Sequence, residues 1–350
     1  MTYTFVPFHA LHGREAIVVD GHRSRGLVLS HWKESATPVE LRGDTSADCV
    51  LNALKSDIPE LQIPIITATH FDIDGFVGVW AIMNRELALQ HEGVLREMAL
   101  IGDFRELDLS KRDAETALKL VCWINALEKA VYYAPYGAAH NELLECAQKF
   151  DYFLDEFASV LKNPDDFKKT WQPEFDRVVK DYETAHSDKT LLKSFPALGL
   201  VAIQTPEPLH YYALFSRTIG FDMVCAMYSD NRYELEYKYT TWVDITSRPT
   251  LPRISMEPLA QKLNALEVSG RTWTFESISD TGPILRLDGD YLTKEERFQN
   301  PFEREIFSSS IEPEEFLKMV TEYYSAAFKN IHPKEAWTWK EMRALESVGF

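Results

Sequence analysis

Cysteine is scarce: four residues, Cys49, Cys122, Cys146 and Cys225, in a chain of 350. None lies close enough to another to form a C-x-x-C pair, which excludes a zinc knuckle, and apolar surroundings read three of them as small buried hydrophobes. Basic residues are in deficit, 37 against 54 acidic, for a formal net charge of −17. Such a surface repels nucleic-acid phosphates and anionic membranes, so a long polynucleotide is not expected as a ligand and a small one is. No apolar run approaches the ~18 residues of a membrane span, and the N-terminus has no basic start followed by an apolar stretch. A cytoplasmic, reduced protein without a membrane partner is expected. The P-loop, G-x-G-x-x-G, G-x-S-x-G and H-E-x-x-H patterns are all absent, which removes the usual anchors of nucleoside triphosphate, dinucleotide and serine-hydrolase chemistry.

What is present is enough apolar sequence, 45% of residues with 12% aromatic, for a large core or two. "AIVVDG", "GLVLSHW" and "LQIPIITATH" are apolar runs closed by glycine or a polar residue, as buried strands are. "GDTSADCVLNALKS" is a helix in which Thr45 or Ser46 caps the start. Gly75 opens another helix. "DAETALKLVCWINALEKAVYY", "HNELLECAQKFDYFLDEFASVLK" and "QPEFDRVVKDYETAH" carry apolar residues at helical spacing and form a central helical block. Strands return after 195 in "ALGLVAIQT" and "DMVCAMYSD". The alternation in "YELEYKYTTWVDI" predicts an exposed or half-buried strand. Its tyrosines read either as one packed aromatic face or as a stacking surface for a base or sugar. The expected fold is α/β: a mostly parallel sheet with flanking helices, the helical block, and a smaller C-terminal α/β lobe. The expected division is 1–190, carrying the site, and 191–350, a substrate-binding lobe. The 113–160 block offers apolar stripes that serve either the monomer core or a homodimer.

Chemistry concentrates in "IITATHFDIDGFVGVW". An apolar strand ends in His70, Asp72 and Asp74, with Gly75 leading into a helix. On an extended segment residues at i, i+2 and i+4 point the same way. At the carboxyl end of a parallel strand they face the crevice where such sheets bind ligands. Imidazole with two carboxylates suits a divalent cation, manganese, zinc or magnesium. The alternative is a strand-end turn in which Asp74 only caps the helix.

"THFDIDG" followed by an apolar helix resembles the first motif of the DHH phosphoesterase superfamily. The resemblance implies one or two manganese ions that activate water for attack on phosphorus, with His70, Asp72 and Asp74 as ligands. Asp103 in "LIGDF" would match the second-motif aspartate, or else follow a helix-capping glycine. The DHH tripeptide itself is absent, and His140 and His210 are the nearest substitutes, as catalytic acid or ligand. A wider stretch, including "VVDGHRSRGLVLSHW" and "YKYTTWVDITSRPTLPRISMEPLAQKLNALE", resembles an uncharacterised bacterial family.

Arg248 and Arg253 bracket a proline-stiffened loop, and Arg217, in "LFSRTIGFD", is a candidate to join them. Guanidiniums there either hold a substrate phosphate or carboxylate or bridge to the chain's own acids. His31 ends a strand and, with Asp20 and Asp44, is placed at the same crevice, His31 as a substrate contact. The expectation is a metal-dependent hydrolase of a small anionic substrate, a phosphoester. The alternatives are a single-metal enzyme of other chemistry, tailoring or lyase, and a ligand-binding protein without catalysis.

Overall fold

The computed structural model describes residues 2–131, 142–293, 296–297 and 299–346. The fold is α/β and packs as two units. The first comprises Met1–Arg177 with Ile245–Ser247, the second Val178–Asp244 with Arg248–Phe350.

The first unit is built on a four-stranded sheet in the order β1-β4-β2-β3, with every pairing parallel. Its strands are short: β1 (Thr4–Phe5), β2 (Ile17–Val19), β3 (Leu27–Leu29) and β4 (Ile65–Ala68). The residues of β2 and β3 are all buried, which is why they read as unbroken apolar runs. Strands of three residues let the chain return from β2 to β3 through 20–26 without a helix. Gly26, at φ +87°, makes this crossover possible, since a Cβ there would stand 2.0 Å from the Ala16 carbonyl oxygen.

Helices follow in this unit: α1 (Ser46–Leu54), α2 (Ile73–Met83), α3 (Arg85–Gln90), α4 (Glu92–Phe104), α5 (Ala114–Val131) and α6 (Glu142–Lys162); α1 and α2 pack on the sheet, and α3 and α4 pack on α1 and α2. Thr45 caps α1 in a capping box closed by Asp48. α2 starts at Ile73, two residues before Gly75, and its cap is Asp72, whose side chain accepts the Gly75 N–H. Asp74 therefore does not cap this helix. Phe76 and Trp80 of α2 meet Phe150, Phe153 and Phe157 of α6 at 4.9–6.5 Å between ring centroids. That aromatic layer fixes the helix that carries Asp74. α7 (Lys168–Ala185) runs from the first unit into the second.

The second unit holds a six-stranded sheet in the order β5-β6-β7-β8-β10-β9. Its strands are β5 (Leu191–Phe195), β6 (Leu200–Thr205), β7 (Met223–Tyr228), β8 (Arg232–Tyr237), β9 (Trp273–Phe275) and β10 (Ile284–Leu287). Only β6 and β7 pair in parallel. Helices α8 (Tyr211–Phe215), α9 (Glu257–Asn264), α10 (Pro313–Ala327) and α11 (Trp339–Glu346) complete it.

Strand β8 corrects the expectation of an exposed or half-buried strand: Tyr233 through Tyr237 are all buried. The alternation is real, but its polar face is neutralised rather than solvated. Glu234 takes a bidentate ion pair from Arg304, at 2.6 and 3.1 Å, and a third contact from Arg286 at 3.3 Å. On the other face Tyr233 stacks on Phe316 at 4.4 Å, the packed-face reading of these tyrosines. No described helix is long and apolar enough to cross a membrane.

Candidate metal centre

The carboxyl ends of three adjacent parallel strands supply the site. Asp20 follows β2, His31 stands two residues past β3, and His70 two residues past β4. Asp72 and Asp74 open α2, and Asp103 lies in the last turn of α4. Asp20 sits at φ +50°, a left-handed conformation that aspartate tolerates better than most residues. Thr69 Oγ1 donates to the Asp20 carbonyl oxygen at 2.7 Å and holds that bend.

The ligand-bearing atoms fall into two overlapping groups: Asp20, His31 and Asp74, all buried, and Asp20, His70 and Asp72, of which the last two are partly exposed. Each group could hold a metal ion, and Asp20 belongs to both. In the inner group His31 Nε2 lies 3.6 Å from Asp20 Oδ1, 3.6 Å from Asp74 Oδ2 and 3.6 Å from Asp103 Oδ2. These separations exceed those of hydrogen bonds. They lie just above the spacing of atoms sharing one ion, roughly 3.0–3.4 Å when each stands about 2.1 Å from it. In the outer group His70 Nε2 is 3.3 Å from Asp20 Oδ2 and 3.1 Å from Asp72 Oδ2.

Local chemistry fixes how these atoms present themselves. His31 Nδ1 is 2.7 Å from the Asp44 carbonyl oxygen, which only accepts, so the Nδ1 proton points there and Nε2 faces the carboxylates. Asp74 receives the backbone N–H groups of Ser46 at 2.9 Å and Ala47 at 2.8 Å, buried first-turn donors of α1 that have no partner within the helix. Ser46 Oγ donates to Asp20 Oδ1 at 2.8 Å. Among the described residues no hydrogen bond reaches Asp103 Oδ2 or Asp20 Oδ2, both buried. Buried carboxylate oxygens in that condition could be satisfied by a cation.

The electrostatics agree. Burial pushes Asp74 well above the usual carboxylate range, and the neighbouring Asp20 and Asp72 add to it. Asp103 is raised for the same reasons, burial first and then Asp74, Asp72 and Asp20. Burial likewise raises Asp20, with Asp72 adding to it. Burial alone would lower His70, but Asp72 and Asp20 outweigh it and bring the imidazole to about 10; its ring is 44% exposed, so water weakens that pull. Asp72 is held low because His70 outweighs its burial. Four carboxylates in one small volume repel each other, and two divalent cations would balance them with both imidazoles neutral.

Sequence spacing and structure differ in one respect here. His70, Asp72 and Asp74 do not project as one set from an extended segment. The helix begins at Ile73, so Asp74 turns towards His31 while His70 and Asp72 stay together. His31, expected as a substrate contact, is fully buried among three carboxylates instead. Asp20 was legible only as a strand-end acid; its sharing between the two groups depends on the β4-β2-β3 order, which spacing does not encode.

The other expected site residues have local employment. His140 lies outside the described residues. His210 is in the second unit, 2% exposed, its backbone N–H on Asp181 at 2.7 Å and its Nδ1 accepting from Tyr212 N–H at 3.2 Å. Arg248 binds Asp222 at 2.6 Å and the Phe221 carbonyl at 2.8 Å. Arg217 lies 3.0 Å from His186 Nδ1. Arg253 is fully buried and donates to Thr241 Oγ1 and to the carbonyls of Lys238, Ile278, Asp280 and Thr281. All five guanidinium N–H groups are used, which leaves none for a substrate.

An α/β unit with an Asp/His cluster at the carboxyl ends of its parallel strands is the class these features define. The chain belongs to the family of unknown function DUF6687, which matches residues 1–335. No curated protein and no solved structure matches it.

Proposed function

We propose that the first unit holds two divalent ions, manganese foremost, and hydrolyses a small anionic substrate, a phosphoester. The observation that carries this reading is the pair of Asp/His groups sharing Asp20. The resemblance of "THFDIDG" to the DHH phosphoesterases supports it. Divalent ions in such a pair supply a water acidified towards neutrality and positive charge for a phosphoryl oxygen. His31, Asp74 and Asp103 form the closed side, and helix α1 keeps Asp74 oriented. His70 and Asp72 form the open side, from which substrate enters. Trp32, 5.8 Å from the His70 ring, and His22, 5.4 Å from Trp32, continue the open side as a row of rings.

The contrast in burial favours a second reading, in which only the inner position fills and a single ion serves a different reaction. The test is hydrolysis of bis(p-nitrophenyl) phosphate by protein loaded with manganese, beside the Asp72→Ala/Asp74→Ala double variant. Turnover that follows metal content supports the first reading. A protein that binds one ion and turns over no phosphoester supports the second.

A further inference from the structure

We infer that Asp44 is a positioning residue for the inner metal group, locked in place by Thr246 and Ser247, which lie 202 and 203 residues further along the sequence. This inference rests on the metal reading proposed above. Asp44 Oδ1 accepts the backbone N–H of Thr246 at 2.7 Å, the Thr246 hydroxyl at 3.0 Å and the backbone N–H of Ser247 at 2.8 Å. Three donors on one carboxylate oxygen hold this residue firmly although it lies in a loop. Ile245–Ser247 packs with the first unit, while the residues on either side of it, Asp244 and Arg248, pack with the second.

The run from Asp44 to Ala47 touches all three members of the inner group, Asp20, His31 and Asp74. The Asp44 carbonyl holds His31 Nδ1 at 2.7 Å. Ser46 Oγ reaches Asp20 at 2.8 Å and lies 3.3 Å from the His31 backbone N–H, which donates to it. The Ser46 and Ala47 N–H groups hold Asp74. No hydrogen bond from this run to His70 or Asp72 is present among the described residues. Fixing Asp44 fixes the start of α1 and, with it, the tautomer and angle of His31. Partners of this kind set a ligand's basicity and orientation, and their loss weakens metal binding by roughly 10–100-fold.

The test combines manganese titration by calorimetry with long-range 1H–15N spectra of the histidine rings. In the wild type His31 carries its proton on Nδ1. Asp44→Ala is expected to weaken the tighter manganese site by roughly tenfold or more and to mix the His31 tautomers. Asp44→Asn keeps an accepting Oδ1 and should stay within about twofold of wild type, and Thr246→Val, which removes one of three donors, should fall between. The looser site should not change. Wild-type affinity and an unmixed Nδ1–H tautomer in Asp44→Ala would overturn the inference. A wild-type protein that binds no divalent ion would sink the metal reading, and the tautomer spectra would still decide the role of Asp44.

Discussion

Asp103 brings a buried carboxylate oxygen to 3.6 Å from His31 Nε2, and the two residues come from opposite constructions: a helix's last turn and a strand's carboxyl end. That oxygen receives no hydrogen bond among the described residues. Without a cation it is a repulsive element beside Asp74 and Asp20. Replacing Asp103 by Asn should therefore raise the thermal midpoint of protein stripped with EDTA while weakening manganese binding. Parallel thermal melts in EDTA and in manganese check both signs; a variant less stable than wild type in EDTA would contradict them.

The two groups should separate by mutation. Asp74→Asn is expected to empty the inner position, and Asp72→Asn only the outer one, each leaving about one ion per chain. Asn still serves as a helix cap, so Asp72→Asn should fold as wild type does. Equilibrium dialysis at increasing manganese reads the stoichiometry, and a variant that loses both ions, or neither, would refute the division.

Arg253 makes the opposite kind of prediction. Lysine offers three donors where the guanidinium uses five, so Arg253→Lys leaves buried carbonyls unpaired. A stability loss of about 3 kcal/mol in denaturant titration follows. A substrate anchor would instead change KM at unchanged stability.

Glu267 sets a stability trend with acid. Burial alone would raise its pKa, but the donors of Ser309, Ser310 and Ser269 outweigh it and hold it at about 2. Its folded value lies below the unfolded one, so its contribution is present above the ordinary carboxylate pKa of 4.5 and is lost as pH falls through 2. Glu267→Gln should lower the thermal midpoint by a few degrees at pH 7, and the difference from wild type should shrink below pH 4.5. A difference that persists at pH 2 would contradict this origin.

The α/β class was legible because β2, β3 and most of β4 are buried and are followed by polar residues. The start of α1 was legible from Thr45, whereas α2, expected to open at Gly75, starts two residues earlier with Asp72 as its cap. The metal-type residues were legible as types, since His70, Asp72 and Asp74 follow so apolar a strand. Their partition was not, because it depends on α2 starting at Ile73. Asp20 and His31 gained their roles from sheet order. Arg248 and Arg253 misled because a basic loop in an acidic chain looks like an anion site, whereas buried carbonyls and Asp222 already claim those donors. Glu234 misled in the same way: alternation signals solvent unless a distant arginine, here Arg304, supplies the counter-charge.

The central claim is that Asp20 belongs to two metal positions at once. Elemental analysis of wild type and Asp20→Asn after manganese loading and gel filtration tests it most directly. The account predicts about two ions per wild-type chain and fewer than one in the variant. A variant that holds as much metal as wild type, or a wild type that holds none with any divalent ion, would contradict it.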